Sequence, residues 1–115
     1  MKKIYRVTSN EDFGGAVHKG IAKRNSCYVI HARENELNHA RVGISVSKKL
    51  GVAVVRNKIK RQVRAIVGEL IDFENSKPID IVIVVKDGFL KNSFEYNKNS
   101  LNSLITNLME RINEK

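Results

Sequence analysis

The hydrophobic period of this chain changes twice between residues 41 and 85, and no other sequence feature narrows the fold as much. Residues 41–47 (RVGISVS) alternate, with Val42, Ile44 and Val46 on one side and Gly43, Ser45 and Ser47 on the other. A period of two marks a strand with one buried face. Over residues 53–71 the spacing lengthens: Val55, Ile59, Val63, Ile66 and Leu70 recur at helical intervals and form one apolar stripe. Lys77-Pro78 then breaks the chain, and residues 79–85 (IDIVIVV) read as a buried strand. A strand–helix–strand unit of this kind normally crosses over right-handedly.

The flanks supply the remaining layers. Ser9 can cap a helix whose capping-box acid is Asp12, and Phe13 and Val17 share a face of it. Gly14 and Gly15 weaken that helix by up to ~1 kcal/mol each, and Gly20 can end it. Residues 27–32 (CYVIHA) read as a strand, with Tyr28 and Ile30 opposite Cys27, Val29 and His31; residues 33–39 read as a loop. Over residues 96–113, Leu101, Leu104, Ile105, Leu108 and Ile112 give a final helix one apolar face. The order is α-β-β-α-β-α, with room for a short extra strand near Ile21. This predicts an α+β fold: a single-domain α/β sandwich over residues 1–115, its helices packed on one sheet. Tyr28 is expected in the core. The small polar face of Gly43, Ser45 and Ser47 fits either a close-packed helix or a close ligand.

The net charge is +9, and its placement says more than its size. Residues 37–68 contain no acid but hold Arg41, Lys48, Lys49, Arg56, Lys58, Lys60, Arg61 and Arg64. The rest of the chain has 13 basic and 12 acidic residues. At 100° per residue, Arg56, Lys60 and Arg64 run along one flank of the helical stripe, while Asn57, Lys58 and Arg61 fill the exposed arc. A localised basic field attracts a polyanion, whereas a merely solvated surface mixes both signs.

Other classes fit less well. The single cysteine, Cys27, cannot form an internal disulfide and has no metal-ligand spacing. The opening MKKIYR has no signal-peptide character, and no apolar run approaches a membrane span. The expectation is a cytoplasmic protein with no membrane partner. A self-sufficient nuclease would draw on His18, His31 and His39 with Glu11, Asp12, Glu34 or Glu36, but these lack H-x-E or paired-carboxylate spacing. A DNA-groove reader would need a helix-turn-helix or dimer context. A ribosomal or general RNA-binding protein would share the composition and the basic helix.

Residues 43–64 read GISVSKKLGVAVVRNKIKRQVR. This resembles the core of the bacterial ribonuclease P protein family, close to G-[IL]-S-V-S-K-K-x-G-N-A-V-x-R-N-R-I-K-R-x-x-R. Only Val52 and Lys58 depart at specified positions, where the family usually has Asn and Arg. The likeness runs along the whole chain: Lys3 and Arg6 before Asn10-Glu11-Asp12-Phe13, then Lys19-Gly20, the strand DIVIVV, and a last amphipathic helix with Ser100-Leu101.

The resemblance implies an auxiliary subunit of an endoribonuclease that removes the 5′ leader from precursor tRNA. Chemistry would belong to a catalytic RNA and its Mg²⁺, with no catalytic residue, metal site or tightly held cofactor in the protein. Arg56, Asn57, Lys58, Lys60, Arg61 and Arg64, with Lys48 and Lys49, would dock that RNA. The leader would lie in a cleft formed by Phe13, Val17, His31, Arg6, Ser45 and Ser47. A monomer is expected in the holoenzyme. The family's strand–helix–strand crossover is left-handed, against the general rule. Lys58 keeps the charge of the usual Arg but loses its bidentate fork. Val52 removes an amide from the turn before the helix, which should alter a local bond or cap. Val17 and His31 stand where the family often has aromatic rings, so the cleft loses up to two stacking platforms.

Overall fold

In a computed structural model of the chain, residues 5–7 and 20–113 are described. Four strands form one sheet: β1 (Ile21–Arg24), β2 (Tyr28–Glu34), β3 (Arg41–Val46) and β4 (Ile79–Val85). Their order is β1-β2-β4-β3. The β1–β2 and β2–β4 pairs are antiparallel, and β3 lies parallel to β4. Helix α1 (Ala53–Leu70) joins β3 to β4, as the change of period predicts, and helix α2 (Phe94–Asn113) closes the chain. The expected first helix, with Ser9, Asp12, Phe13, Val17 and His18, lies outside the described residues.

Register assigns each sheet residue to a face. Tyr28, Ile30 and Ala32 of β2, Ile79, Ile81, Ile83 and Val85 of β4, and Val42 and Val46 of β3 are buried in the core. Against them pack Ile59, Val63, Ile66 and Val67 of α1 and Leu101, Leu104, Ile105, Leu108 and Ile112 of α2. Helix α1 lies over β3, and α2 over β1 and β2. The core stripe of α1 differs from expectation at its start. Val55 is exposed, because the first turn overhangs the sheet, and Val67 takes a buried place instead.

One further expectation is met and one is corrected by strand length. The short strand near Ile21 exists, and β2 runs on to Glu34, so Arg33 belongs to a strand rather than a loop. Seven-residue pairing with β4, from Tyr28↔Val85 to Glu34↔Ile79, carries β2 that far.

A polar network fixes how α2 starts. Ser93 caps the helix: its Oγ accepts from the Tyr96 amide at 3.1 Å. Asn97 is buried, its Nδ2 donating to the Phe89 carbonyl at 2.9 Å. Its own carbonyl accepts from the Tyr28 hydroxyl at 2.9 Å. Tyr28 is thus a core residue, and burial pushes its phenol well above the ordinary range. Gly88 is required in the 3-10 turn Asp87–Lys91, because a Cβ there would strike the Ser26 carbonyl.

Candidate nucleic-acid interface

The turn after β3 and the first half of α1 carry the basic surface. Ser47 caps a 3-10 turn (Lys48–Leu50), its side chain accepting from the Lys49 amide at 3.2 Å, and Lys48 and Lys49 project into solvent. Gly51 then adopts φ 144° and ψ −177°, a conformation open essentially to glycine, and a Cβ there would also press on Val55. That turn aims α1 away from the strand.

Val52 is the N-cap of α1 and makes no side-chain capping bond. The altered turn expected from this residue is therefore a missing cap. Arg56 ties the turn to the helix without replacing the cap: its Nε donates to the Gly51 carbonyl at 3.2 Å and leaves the first amides unserved. Arg56 is half-buried in consequence, as are Lys60 and Arg64 beside the stripe, whereas Asn57, Lys58 and Arg61 are exposed. Val54, Asn57, Lys60, Arg61 and Arg64 line one shallow cleft of about 440 Å³. The structure thus brings four of the eight expected docking residues (Asn57, Lys60, Arg61 and Arg64) to one cleft, with Lys58 exposed beside it and Arg56 half-tied to the turn. Lys48 and Lys49 stand immediately before the helix.

The opposite sheet face carries His31 and Ser45 of the expected leader residues, whereas Ser47 belongs to the 3-10 turn. His31 of β2 pairs with Ala22 of β1 and Val82 of β4, and Val82 pairs with Gly43 of β3. One row further on, Arg24, Val29, Val84 and Ser45 lie side by side. Val82 and Gly43 are buried, His31 is half-buried and Ser45 is exposed. Burial, and secondarily the positive charge of Arg24, hold the His31 imidazole below its ordinary pKa. Arg6 pairs with Val42 along the outer edge of β3. Phe13 and Val17 lie outside the described residues.

A third row on this face was not foreseen. Asp80 is fully buried between Arg33 and Arg41 in the register. Arg41 grips it with two bonds, Nε to Oδ1 at 2.9 Å and Nη2 to Oδ2 at 2.7 Å, and the Asn35 amide adds a third at 2.8 Å. Arg41 is therefore committed to a buried ion pair, and its charge does not belong to the docking surface. Arg24 and Arg33 were missed as members of this face. The alternation Tyr28-Val29-Ile30-His31-Ala32-Arg33 carries the signal for Arg33; nothing comparable marks Arg24.

The histidines proposed for a protein nuclease have separate settings. His31 stands on the open sheet face, while the His39 ring lies edge-on to Tyr5 at 5.2 Å. Among the described residues no three His, Cys, Asp or Glu side chains meet in a way that could hold a metal ion, and no helix is long and apolar enough to cross a membrane.

The ribonuclease P family model matches residues 1–109. The chain belongs to the ribonuclease P protein family. It is 38% identical to the ribonuclease P protein component of Mesoplasma florum over 110 residues, 96% of this chain and all of that one. It is 41% identical to the Streptococcus pneumoniae component over 92 residues, 76% of this chain and 71% of that one. The solved ribonuclease P protein of Staphylococcus aureus superposes with a TM-score of 0.81 at 35% identity, covering 89% of this chain and 93% of that one. The α+β sandwich is thus the ribonuclease P protein fold. The two basic or polar faces just described stand on opposite sides of its sheet.

Proposed function

We propose that this chain is the auxiliary protein subunit of ribonuclease P, binding the catalytic RNA and the 5′ leader of precursor tRNA so that the leader is removed. The observation that carries this reading is the outer surface of α1: five cations between Arg56 and Arg64, Lys58 and Arg61 exposed and the other three half-buried along the flank, uninterrupted by any acid. Such an arc suits the phosphates of a folded RNA. Arginine supplies paired hydrogen bonds and lysine a point charge. Each neutralised phosphate releases counterions, so docking weakens steeply as salt rises.

The leader falls to the other face, with His31 and Ser45 beside Arg24; Arg6 and Ser47 at the β3 end of the sheet, and Phe13 and Val17 outside the described residues, complete the set assigned to it. Holding both RNAs on opposite sides of one thin sheet positions the substrate against the catalytic RNA, a contribution of proximity rather than of acid–base chemistry. Mg²⁺ belongs to the RNA in this reading. The protein's part is to bind, orient and lessen the repulsion between two polyanions, acting as a monomer in the cytoplasm.

The test is leader cleavage of a precursor tRNA at low Mg²⁺, by protein alone, by a matched ribonuclease P RNA alone, and by both. Cleavage mainly with both is expected. Cleavage by the purified protein alone would move the active site into the polypeptide. Absence of any stimulation would leave a general RNA-binding protein.

A further inference from the structure

The first turns of α1 expose apolar side chains where a solvated helix would be polar. Val54 is 79% exposed and Val55 37%. Across from them Leu90 is 52% and Phe94 44% exposed. Single exposed apolar residues are ordinary, but a cluster facing one groove is not. Between these walls lies a groove of about 360 Å³, floored by Ile59 and Phe89 and edged by Lys58, Gln62 and Asn92. Its shape comes from fixed elements: Gly88 holds the 3-10 turn against Ser26, and Ser93 caps the start of α2.

We propose that this groove receives one unstacked base of the catalytic RNA, held against the Phe94 ring and the Val54 and Leu90 side chains. The inference rests on the RNA-docking role of α1. Val54 lines both the groove and the basic cleft of Asn57, Lys60, Arg61 and Arg64, so the two surfaces are continuous. Lys58 stands on the groove wall, where it can meet the phosphate of the same nucleotide. The Gln62 side amide offers a donor and an acceptor to a base edge; Asn92, whose Nδ2 donates to the Gly88 carbonyl at 2.8 Å, offers its Oδ1 as an acceptor, and an aromatic ring offers a stacking surface to any base. The groove is on the helix side of the sheet, away from the His31 and Ser45 face. That placement assigns the base to the catalytic RNA rather than to the leader.

The test compares binding of the full chain to ribonuclease P RNA across a salt series. Phe94→Ala is expected to weaken binding about tenfold at every salt concentration, leaving the log–log slope unchanged because no phosphate contact is lost. Phe94→Trp should keep wild-type affinity, and Phe94→Leu should not. Should Phe94→Ala lower the melting temperature sharply, Val54→Thr carries the same test at a side chain free of the core, with about threefold weaker binding expected. Affinity within twofold of wild type in both variants, or full rescue by leucine, would overturn the groove assignment. Loss of the preference for leader-bearing substrate in Phe94→Ala would overturn the choice of RNA. If Arg61→Ala lowers the slope while Phe94→Ala does nothing, only the groove fails. If neither variant has an effect, the docking role of α1 fails with it.

Discussion

Helices α1 and α2 lie on the same sheet face and bury similar stripes, yet their outer surfaces differ in kind. Helix α2 balances its charges, Glu95 and Glu110 against Lys98 and Arg111, and beyond the exposed Phe94 and Tyr96 of its first turn its outer arc is neutral and polar, with Asn99, Asn102, Ser103, Thr106 and Asn107. It starts on a serine cap. Helix α1 has five cations and one acid, Glu69, and starts on an uncapped valine. Its Arg56, Lys60 and Arg64 follow at four-residue spacing, where each like-charge pair disfavours the helix by ~0.2–0.5 kcal/mol. Cations near a helix N-terminus also oppose its dipole. Folding alone would select the surface of α2. The surface of α1 works against its own helix, as a surface shaped for the proposed RNA partner would.

The contrast can be broken most directly by exchanging what is measured. Leu108 is fully buried in α2. Leu108→Ala should destabilise the fold by ~2–5 kcal/mol through lost burial and a cavity, read as a shift in the urea midpoint. RNA affinity of the remaining folded protein should hold. Arg56→Ala with Arg61→Ala should do the reverse. Loss of two charge-assisted contacts predicts about 100-fold weaker binding to the catalytic RNA and a salt slope smaller by about two. Its melting temperature should move little, because relief of like-charge repulsion offsets the lost Arg56 bond to Gly51. Equal effects of both variants on both measurements would erase the distinction between the helices.

The sequence made this division legible where periodicity and charge coincide. Ile59, Val63 and Ile66 announce the buried stripe of α1, and the cations beside them mark the outer arc by the same arithmetic. The leucines of α2 are equally plain. What periodicity could not reach was the overhang of the first turn of α1, because Val55 keeps the right spacing whether or not the sheet extends beneath it. Arg41 misled for a similar reason. Its charge is visible in sequence, but Asp80, 39 residues on, meets it only through parallel pairing of β3 and β4. The Val54–Phe94 groove joins residues from two helices and a turn, so no local pattern announces it. The outer face of the sheet was legible in part: His31 and Ser45 fall where alternation puts them, while β1 is too short to show a period.

The missing cap offers a smaller and cleaner test of the difference. Asn at an N-cap accepts from the helix's unsatisfied first amides, which valine cannot do. Val52→Asn should therefore stabilise the chain by ~1 kcal/mol, seen as a higher melting temperature. It should bring α1 closer to α2 in helical stability without changing the salt slope of RNA binding. A slope that changes would mean that residue 52 touches the RNA itself.

The smallest expected effect lies outside both helices, at His31 on the open sheet face. Its pKa is lowered from 6.5 by burial and then by Arg24. The unfolded chain therefore binds a proton there before the folded one does. Stability from this site is complete above the unfolded value and is lost as pH falls from near 7 through the lowered folded value. The ring is only half-buried, so solvent screening keeps the effect small. His31→Gln should flatten the stability profile over that window. A leader phosphate on the same face would act oppositely, because a nearby anion favours the imidazolium. Preference for precursor over mature tRNA should then rise modestly as the pH is lowered toward 6, and His31→Gln should abolish the rise. A flat preference in the wild-type protein would separate His31 from the leader and leave its lowered pKa a consequence of packing beside Arg24 alone.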